Sequence, residues 1–152
     1  MTEPTLPAPA DPARQFDFWL GDWDVTWDDQ RGTNSVTAIL GGAVIQEQFD
    51  ARPSADWQGL SLSVYDARRA EWRQTWVDSN GNYWAFTGGF ADGRLTLATD
   101  DLRDGRPVKL RMTFYNLAAH SFDWSWERSD DAGATWNTLW QLHYQRRPRP
   151  AS

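Results

Sequence analysis

Apolar and polar residues alternate along most of this chain. The clearest run is Trp23-Asp24-Val25-Thr26-Trp27, in which every second side chain is large and apolar and the residues between are polar. A period of two residues is that of a β-strand with one buried face, whereas an amphipathic helix repeats near every 3.6 residues. Since almost no segment shows the helical period, the pattern predicts an all-β protein.

Short turn sequences separate the alternating segments. They are Arg31-Gly32, Gly41-Gly42, Asn80-Gly81, Asp92-Gly93 and Asp104-Gly105, dipeptides typical of tight hairpins. About ten strands are predicted between them, covering residues 22–30, 33–41, 43–50, 58–66, 71–78, 82–91, 94–100, 107–116, 121–128 and 136–146. Because no crossover helix interrupts these strands, the pattern favours a single antiparallel up-and-down barrel. The aromatic segment before the first strand, residues 16–19, is expected to form a short helical turn.

The length of 152 residues fits one domain, which can bury its core without a disulfide or a metal. We expect a disordered leader rich in Pro and Ala over residues 1–14, the barrel over residues 15–146 and a basic tail over residues 147–152. No apolar run is long enough for a signal peptide or a membrane span, so the expected location is the cytoplasm.

Composition argues against several partners and chemistries. Lys and Arg number 15 and Asp and Glu number 21, and the resulting net charge of −6 opposes binding to nucleic acid or to an anionic membrane. Cysteine is absent, which excludes disulfides, thiolate nucleophiles and cysteine zinc sites. The histidines, His120 and His143, are too few and too far apart for a metal site, and we expect neither a metal nor a cofactor. A surface position is favoured for His143, with a haem ligand as the alternative.

The first three predicted strands have one apolar and one polar face. Two-residue turns at Arg31-Gly32 and Gly41-Gly42 place one set of side chains on the same face. That face contains Trp23, Val25, Trp27, Val36, Ala38, Leu40, Ala43, Ile45, Glu47 and Phe49. The predicted interior therefore contains a glutamate, Glu47. The later strands place Val108, Leu110, Met112, Phe114, Phe122, Trp124 and Trp126 inside.

The central strands allow two interpretations. Two-residue turns at Asn80-Gly81 and Asp92-Gly93 group Trp72, Gln74, Trp76 and Asp78 with Tyr83, Ala85, Thr87 and Thr96. The opposite face has Thr75, Val77, Trp84, Phe86, Phe90, Leu95 and Leu97. Either this second, more apolar face is buried, or the first face lines a polar and aromatic cavity while the second joins subunits. A one-residue bulge at the turn would exchange the two faces.

Glu47 is the main candidate for chemistry. A carboxyl group among apolar side chains has a raised pKa, which suits a general acid or base near neutral pH. Gln74, Ser61, Ser63 and Tyr65 are its expected partners across the barrel. The alternative is a structural glutamate bonded to indole N–H groups or to Arg73.

Asp78 comes at the end of a predicted strand and directly before Ser79-Asn80-Gly81. Aspartate at such a position usually accepts hydrogen bonds from turn amides, and this role is favoured. If its side chain faces inward, Asp78 is a second acid at the barrel mouth.

Tryptophan occurs 11 times, often two or four residues apart on one strand face. A solid interior filled with large rings is one explanation. The other is a ligand cavity, because flat rings fill a round interior imperfectly and small neighbours such as Ala38, Ala43 and Ala85 leave space.

The segment Ser129-Asp130-Asp131-Ala132-Gly133-Ala134-Thr135-Trp136 matches the pattern S-x-D-x-G-x-T-W. It resembles the Asp-box hairpin turn of sialidases and other β proteins. In that turn the aspartate caps the backbone, the glycine allows a positive φ and the tryptophan anchors the hairpin. A single copy indicates a structural role.

Several blocks together resemble one protein family. They are Phe16-Asp17-Phe18-Trp19-Leu20-Gly21-Asp22-Trp23, Gly42-Ala43-Val44-Ile45-Gln46-Glu47, Gly59-x-Ser61 and Trp72-Arg73-Gln74-x-Trp76-x-Asp78. With the Asp-box ending, the chain is similar to an uncharacterised bacterial family of calycin-like, lipocalin-related barrels that open with F-D-F-W-[LI]-G-[DE]-W. The resemblance implies a barrel with a small-molecule cavity and no assigned activity. Its motif positions fall on Glu47, Ser61, Tyr65, Trp72, Gln74, Trp76 and Asp78, which favours this face as the cavity lining.

Three functional hypotheses follow. The first is binding of a small, mostly apolar or aromatic molecule by Trp23, Trp72 and Trp76, oriented by Glu47 and Gln74, with Ser61, Tyr65 and Asp78 as further binding residues. The second is a barrel enzyme of the isomerase or cyclase type with Glu47 as general acid or base. The third is a structural or oligomerisation module, a homodimer with a filled interior.

Overall fold

The computed structural model describes residues 4–148, which form one closed antiparallel barrel of ten strands. The strands are β1 (Gly21–Trp27), β2 (Gln30–Ile39), β3 (Val44–Asp50), β4 (Gln58–Asp66), β5 (Glu71–Asp78), β6 (Tyr83–Ala91), β7 (Arg94–Arg103), β8 (Arg106–Tyr115), β9 (Ser121–Ser129) and β10 (Asn137–Arg146). Each strand pairs with its neighbour in sequence, and β10 pairs with β1 to close the barrel. The predicted all-β, up-and-down architecture is confirmed.

Two short 3-10 turns, Pro12–Arg14 and Asp17–Trp19, precede β1. Phe16 and Trp19 are buried, and the Phe16 ring packs edge-on against Trp72 and Phe114, with centroids 5.2 and 5.0 Å apart. Because Trp72 lies near the beginning of β5, these rings close the end of the barrel where β5 begins.

Arg146, the last residue of β10, fastens this closed end. Its guanidinium donates hydrogen bonds to the carbonyl oxygens of Leu20 at 2.6 Å and Phe18 at 3.1 Å. The same group lies over the Trp23 ring, 4.2 Å from its centroid. The N-terminal turn is therefore tied directly to the last strand.

Residues 1–3 of the predicted leader and 149–152 of the predicted tail lie outside the described residues. Within the leader, the Leu6 backbone N–H donates to the Leu117 carbonyl at 2.8 Å. Within the tail, the Arg147 side chain donates to Asp24 at 2.8 Å. A third 3-10 turn, Leu40–Gly42, lies between β2 and β3. No helical segment within residues 4–148 has the length and apolar character of a membrane span.

The first hairpin turns earlier than predicted. Trp27 pairs with Gln30, so the turn is Asp28-Asp29, and the predicted turn at Arg31-Gly32 is wrong because both residues lie within β2. The pairing moves by an even number of residues, so the two faces keep their composition and Glu47 is inside as predicted. The change brings Asn34 opposite Trp23 on the inner face.

Three of the other predicted turns give the predicted register. Ile39 pairs with Val44 around Gly41-Gly42, Ala91 with Arg94 around Asp92-Gly93, and Arg103 with Arg106 around Asp104-Gly105. At the barrel rim, however, the alanines and the leucine expected inside, Ala38, Leu40 and Ala43, are exposed.

The central hairpin differs from both predicted arrangements. Val77 pairs with Tyr83, which leaves a five-residue turn and moves the register by one residue. Trp76 therefore lies opposite Trp84, and Gln74 opposite Phe86. The inner face combines the two predicted sets: it has Trp72, Gln74 and Trp76 together with Trp84, Phe86, Phe90, Leu95 and Leu97.

Two expectations fail as a result of this register. Tyr83, Ala85 and Thr87 are exposed on the outer face instead of lining the interior. Phe86, Leu95 and Leu97 are buried in the core, so the predicted subunit interface built on them is wrong.

Candidate functional site

The barrel encloses a cavity of about 200 Å³ at the end opposite Phe16 and Trp19. Its lining includes Asp78 at the end of β5 and Asn80 and Asn82 from the turn that follows, whereas Trp72 near the beginning of β5 is not part of it. One half of the interior is thus filled by the N-terminal turn, and the other half is open.

The cavity wall contains six tryptophans: Trp57, Trp76, Trp84, Trp124, Trp126 and Trp140. Trp124 and Trp126 are parallel, with an interplanar angle of 3°, while Trp140 stands at 87° to Trp124 with centroids 5.8 Å apart. The rings remain partly exposed because they surround the opening. The remaining apolar lining consists of Phe49, Phe86, Met112, Phe114 and Leu142.

Glu47 lies in this wall and is only 6% exposed. Ser61 Oγ, from β4, donates to Glu47 Oε1 at 2.7 Å, and Asn34 Nδ2, from β2, donates to Oε2 at 2.6 Å. Asn34 Nδ2 also donates to the Tyr144 hydroxyl oxygen at 3.0 Å. Four strands, β2, β3, β4 and β10, therefore contribute to one buried polar cluster, defined here as Asn34, Glu47, Ser61 and Tyr144.

Burial determines the protonation of this cluster. Desolvation raises the pKa of Glu47 to about 7, although the hydrogen bonds from Ser61 and Asn34 lower it. Desolvation also raises the pKa of Tyr144 well above its usual value, and the charge of Glu47 adds to this effect. Glu47 can thus gain or lose a proton near neutral pH.

The partners of Glu47 are only partly those predicted. Ser61 is an expected partner, but Gln74 and Ser63 bond to each other and Tyr65 packs against Trp72. The alternative partner Arg73 is exposed on the outer face, 3.8 Å from the Asp66 carboxylate. Among the ion pairs within residues 4–148, none involves Glu47.

Gln74 supplies an unsatisfied acceptor to the cavity wall. Its side chain is 3% exposed, and its Nε2 donates to Ser63 Oγ at 3.0 Å. Its Oε1 has no hydrogen-bond partner among the described residues, and neither does Asn34 Oδ1 in the buried polar cluster. A buried acceptor without a donor costs free energy, and a ligand donor that reaches Gln74 would offset this cost.

Asp78 both caps the turn after β5 and lines the cavity mouth. Its carboxylate accepts hydrogen bonds from the backbone N–H groups of Asn80 at 3.0 Å and Asn82 at 3.1 Å, as predicted for a turn aspartate. It also accepts from Trp76 Nε1 at 3.0 Å and lines the cavity mouth. Burial acts to raise its pKa, but these hydrogen bonds outweigh burial and lower it.

The eight predicted ligand-binding residues fall into two groups. Glu47, Gln74, Trp76 and Asp78 line the cavity, whereas Trp23, Ser61, Tyr65 and Trp72 do not. Trp72 is packed against Phe16 at the closed end, and Trp23 donates its indole N–H to the Trp19 carbonyl at 2.8 Å. Direct contact of these two rings with a molecule in the cavity is therefore not supported. Ser61 acts behind Glu47, as a donor to its carboxylate.

Sequence reasoning missed several residues of the site. Asn34 has the same strand parity as Val36, and this parity alone could have placed it on the inner face. Tyr144 alternates with Leu142 and Trp140 on the inner face. Trp57 lies in the loop between β3 and β4, where no periodicity marks it. Of the small neighbours expected to create the space, Ala38, Ala43 and Ala85 are all exposed, so they do not create it.

His143 lies on the outer surface of the barrel. His143 Nδ1 lies 2.7 Å from the Asp123 carboxylate on an exposed part of β10, away from the cavity, so it is not placed to bind haem there. Within residues 4–148, no group of three or more His, Asp or Glu side chains is arranged to hold a metal ion.

The Asp-box segment forms the turn between β9 and β10. Asp131 accepts from the Thr135 backbone N–H at 2.8 Å and from Ser129 Oγ at 2.8 Å, and Gly133 has a φ of +92°. The Trp136 ring lies outside the barrel under the Arg111 guanidinium, 3.9 Å from its centroid. The predicted structural role is consistent with each of these contacts.

No protein-family model matches the chain, and no curated protein compared with it matches either. The geometry of the cavity therefore carries the functional inference.

Proposed function

We propose that this protein binds a small, mostly apolar or aromatic molecule in the tryptophan-lined cavity. The observation that carries the proposal is the position of Gln74, whose buried Oε1 lacks a donor, in a cavity wall that contains six tryptophans. A wall of this kind supplies contact area from its rings and orientation from a few polar atoms, as ligand sites do.

The cavity volume restricts the size of the molecule. Drug-sized pockets have volumes from about 300 Å³ upward, and an apolar cavity of about 150 Å³ accepts benzene. At about 200 Å³, this cavity fits a molecule of one or two rings. Its polar end would lie against Glu47 and Gln74, with its ring between the indoles at the mouth.

Native mass spectrometry of protein taken directly from its expression host tests the proposal. The expected spectrum shows a mass increment that is lost on denaturation. Protein without an increment is then titrated with 2-naphthylmethanol, a two-ring probe, and saturable 1:1 binding is expected. An apo spectrum together with no binding of this or any other one- or two-ring probe would contradict the proposal.

A second candidate function is acid–base catalysis by Glu47. We propose an enzyme of the isomerase or cyclase type for this case. It is favoured by the position of this carboxyl group in the cavity wall with a pKa of about 7. The test incubates the ligand found by mass spectrometry in D₂O and follows deuterium incorporation. Incorporation with the native protein and none with Glu47→Gln supports catalysis, and equal incorporation with both rules out Glu47 as the base.

A homodimer remains a proposal on a different surface from the one predicted. Leu62, Val64 and Val77 are exposed next to one another on the outer face of β4 and β5. Sedimentation velocity at micromolar concentration tests this proposal. We expect the native protein to be a dimer and Leu62→Lys to be a monomer. A monomeric native protein would contradict the proposal. The cytoplasmic location and the calycin-like relationship are likewise proposals that rest on the sequence.

A further inference from the structure

We propose that the cavity selects an organic cation, a small ring-containing molecule that carries a protonated nitrogen. This inference rests on the proposed function and specifies the class of ligand that the same site takes. Three properties of the wall support it: the sign of its charges, its unused hydrogen-bond acceptors and its indole faces.

The charges of the cavity have one sign. Among residues 4–148, the charged lining residues are Glu47 and Asp78, and no Lys, Arg or His of this range lines the cavity. Tyr144 is the other titratable group in the lining. Charges in a poorly solvated site interact more strongly than charges in water, so two carboxylates near one small cavity favour a positive guest and oppose an anion.

Glu47 and Gln74 give the wall hydrogen-bond acceptors with unused capacity. Each carboxylate oxygen of Glu47 accepts one hydrogen bond, from Ser61 or Asn34, although a carboxylate offers about four acceptor sites. Gln74 Oε1 accepts none. An ammonium group donates three hydrogen bonds and accepts none, and it therefore complements this wall.

Two indole N–H groups of the wall are already used. Trp76 Nε1 donates to Asp78 at 3.0 Å, and Trp84 Nε1 donates to Asp101 at 2.8 Å. These bonds hold the two rings in place in the cavity wall. Tryptophan is the aromatic side chain that attracts cations most strongly, and surrounding aromatic rings are used elsewhere to bind ammonium groups.

Other ligand classes fit the wall less well. A carboxylate guest would lie beside Glu47 and Asp78 without a cation from the lining. A pure hydrocarbon would leave Gln74 Oε1 without a donor, which carries the cost of a buried unpaired acceptor. A neutral alcohol could supply one donor but would gain nothing from the two carboxylates.

The test compares three molecules of nearly the same shape by isothermal titration calorimetry at pH 8. They are 2-naphthylmethylamine, which is an ammonium ion, neutral 2-naphthylmethanol and anionic 2-naphthoate. We expect the amine to bind at least about tenfold more tightly than the alcohol, the magnitude of one charge-assisted hydrogen bond, and the naphthoate to bind more weakly than both.

Variants locate the effect at Glu47. Glu47→Gln should reduce the affinity for the amine about tenfold and that for the alcohol by a smaller factor, and retained binding of the alcohol shows that the variant is folded. Glu127→Gln removes the same charge from the outer face, where Glu127 pairs with Arg111, and should leave both affinities unchanged. If Glu47→Gln does not fold, Gln74→Leu replaces it and should weaken the amine more than the alcohol.

The outcomes separate the two proposals. If the alcohol binds as tightly as the amine, or the naphthoate binds best, the cation inference is wrong while binding in the cavity stands. If none of the three molecules binds and no host ligand is found, the proposed function itself is contradicted.

Discussion

Asn34 Nδ2 lies 2.6 Å from Glu47 Oε2 inside the barrel. This contact runs diagonally between β2 and β3. Asn34 is directly opposite Phe49, and Glu47 is directly opposite Val36. The amide stabilises the ionised form of a carboxyl group whose burial favours the neutral form. The balance between burial and this hydrogen bond determines how stability and binding respond to pH.

Stability should depend on pH through Glu47. Its pKa is 4.5 when unperturbed and about 7 in the folded protein, so between these values the folded state holds the extra proton. Stability from this group is then present at low pH and is lost as pH rises from about 4.5 to about 7, a change of about 3 kcal/mol. Urea unfolding of the native protein and Glu47→Gln from pH 4 to 8 measures it. A free-energy difference between them that does not vary with pH would contradict the assignment, and Glu127→Gln controls for net charge.

Asn34→Ala should move this transition. The substitution removes a donor to the ionised carboxylate, so the pKa of Glu47 should rise further above 7. Because the Tyr144 hydroxyl also loses its donor, a loss of about 1–3 kcal/mol in unfolding free energy is expected. NMR titration of a ¹³C-labelled Glu47 carboxyl group reports the pKa. An unchanged or lower value would show that Asn34 does not stabilise the carboxylate.

Gly59→Ala should disturb the cavity without unfolding the barrel. A Cβ at this position would come within 2.2 Å of the Trp76 ring, which must move toward the cavity or the mouth. We therefore expect at least about a tenfold loss of affinity for 2-naphthylmethylamine, because the displaced Trp76 ring would either occupy the cavity or no longer contact the ligand. Gly89→Ala is the matched control, because its Cβ meets nothing within 4 Å. Equal affinity of both variants would exclude Trp76 from the binding site.

Arg146→Met should loosen the closed end. The guanidinium bonds to Leu20 and Phe18 and lies over Trp23, so its loss leaves backbone acceptors unpaired and should cost about 1–4 kcal/mol. Arg147→Met is the control, since Arg147 pairs with Asp24 at the exposed surface. Thermal unfolding monitored by near-UV circular dichroism compares them. A smaller effect for Arg146 than for Arg147 would contradict the proposed fastening.

Asp131→Ala should destabilise the protein in a pH-dependent manner. Hydrogen bonds from Thr135 and Ser129 lower the pKa of this carboxyl group from 3.8 to about 2. Its contribution is therefore present above pH 4 and is lost as pH falls through about 2. Urea unfolding at pH 7 and pH 2.5 should show a smaller difference from the native protein at the lower pH. The neighbouring Asp130→Ala is the control, and identical behaviour of the two variants would refute the Asp-box role.

Alternation in the sequence was sufficient to predict the barrel and the inward position of Glu47. The inner faces of β1 and β2 were predicted correctly although the turn between them was not. The residue opposite Trp23 is Asn34 instead of Leu40, and this shift by an even number of residues leaves the same side chains inside. Side-chain parity is therefore more robust than register.

The central hairpin shows where pattern alone fails. Asp78 accepts bonds from the backbone N–H groups of Asn80 and Asn82, which widens the turn to five residues and moves β6 by one position. An odd shift exchanges faces, so Trp84 and Phe86 enter the interior. The division of the interior into a filled and an open half depends on how Phe16 packs against Trp72, a tertiary contact with no periodic signal.

The most direct test of a ligand site at the tryptophan-lined end is an NMR titration of ¹⁵N-labelled protein with 2-naphthylmethylamine. The indole N–H signals report individual rings. We predict saturable 1:1 shifts at Trp76, Trp84 and Trp126 with little change at Trp23 in the closed half or at Trp136 outside the barrel. Shifts confined to Trp136, or none at any indole, would contradict binding in the cavity.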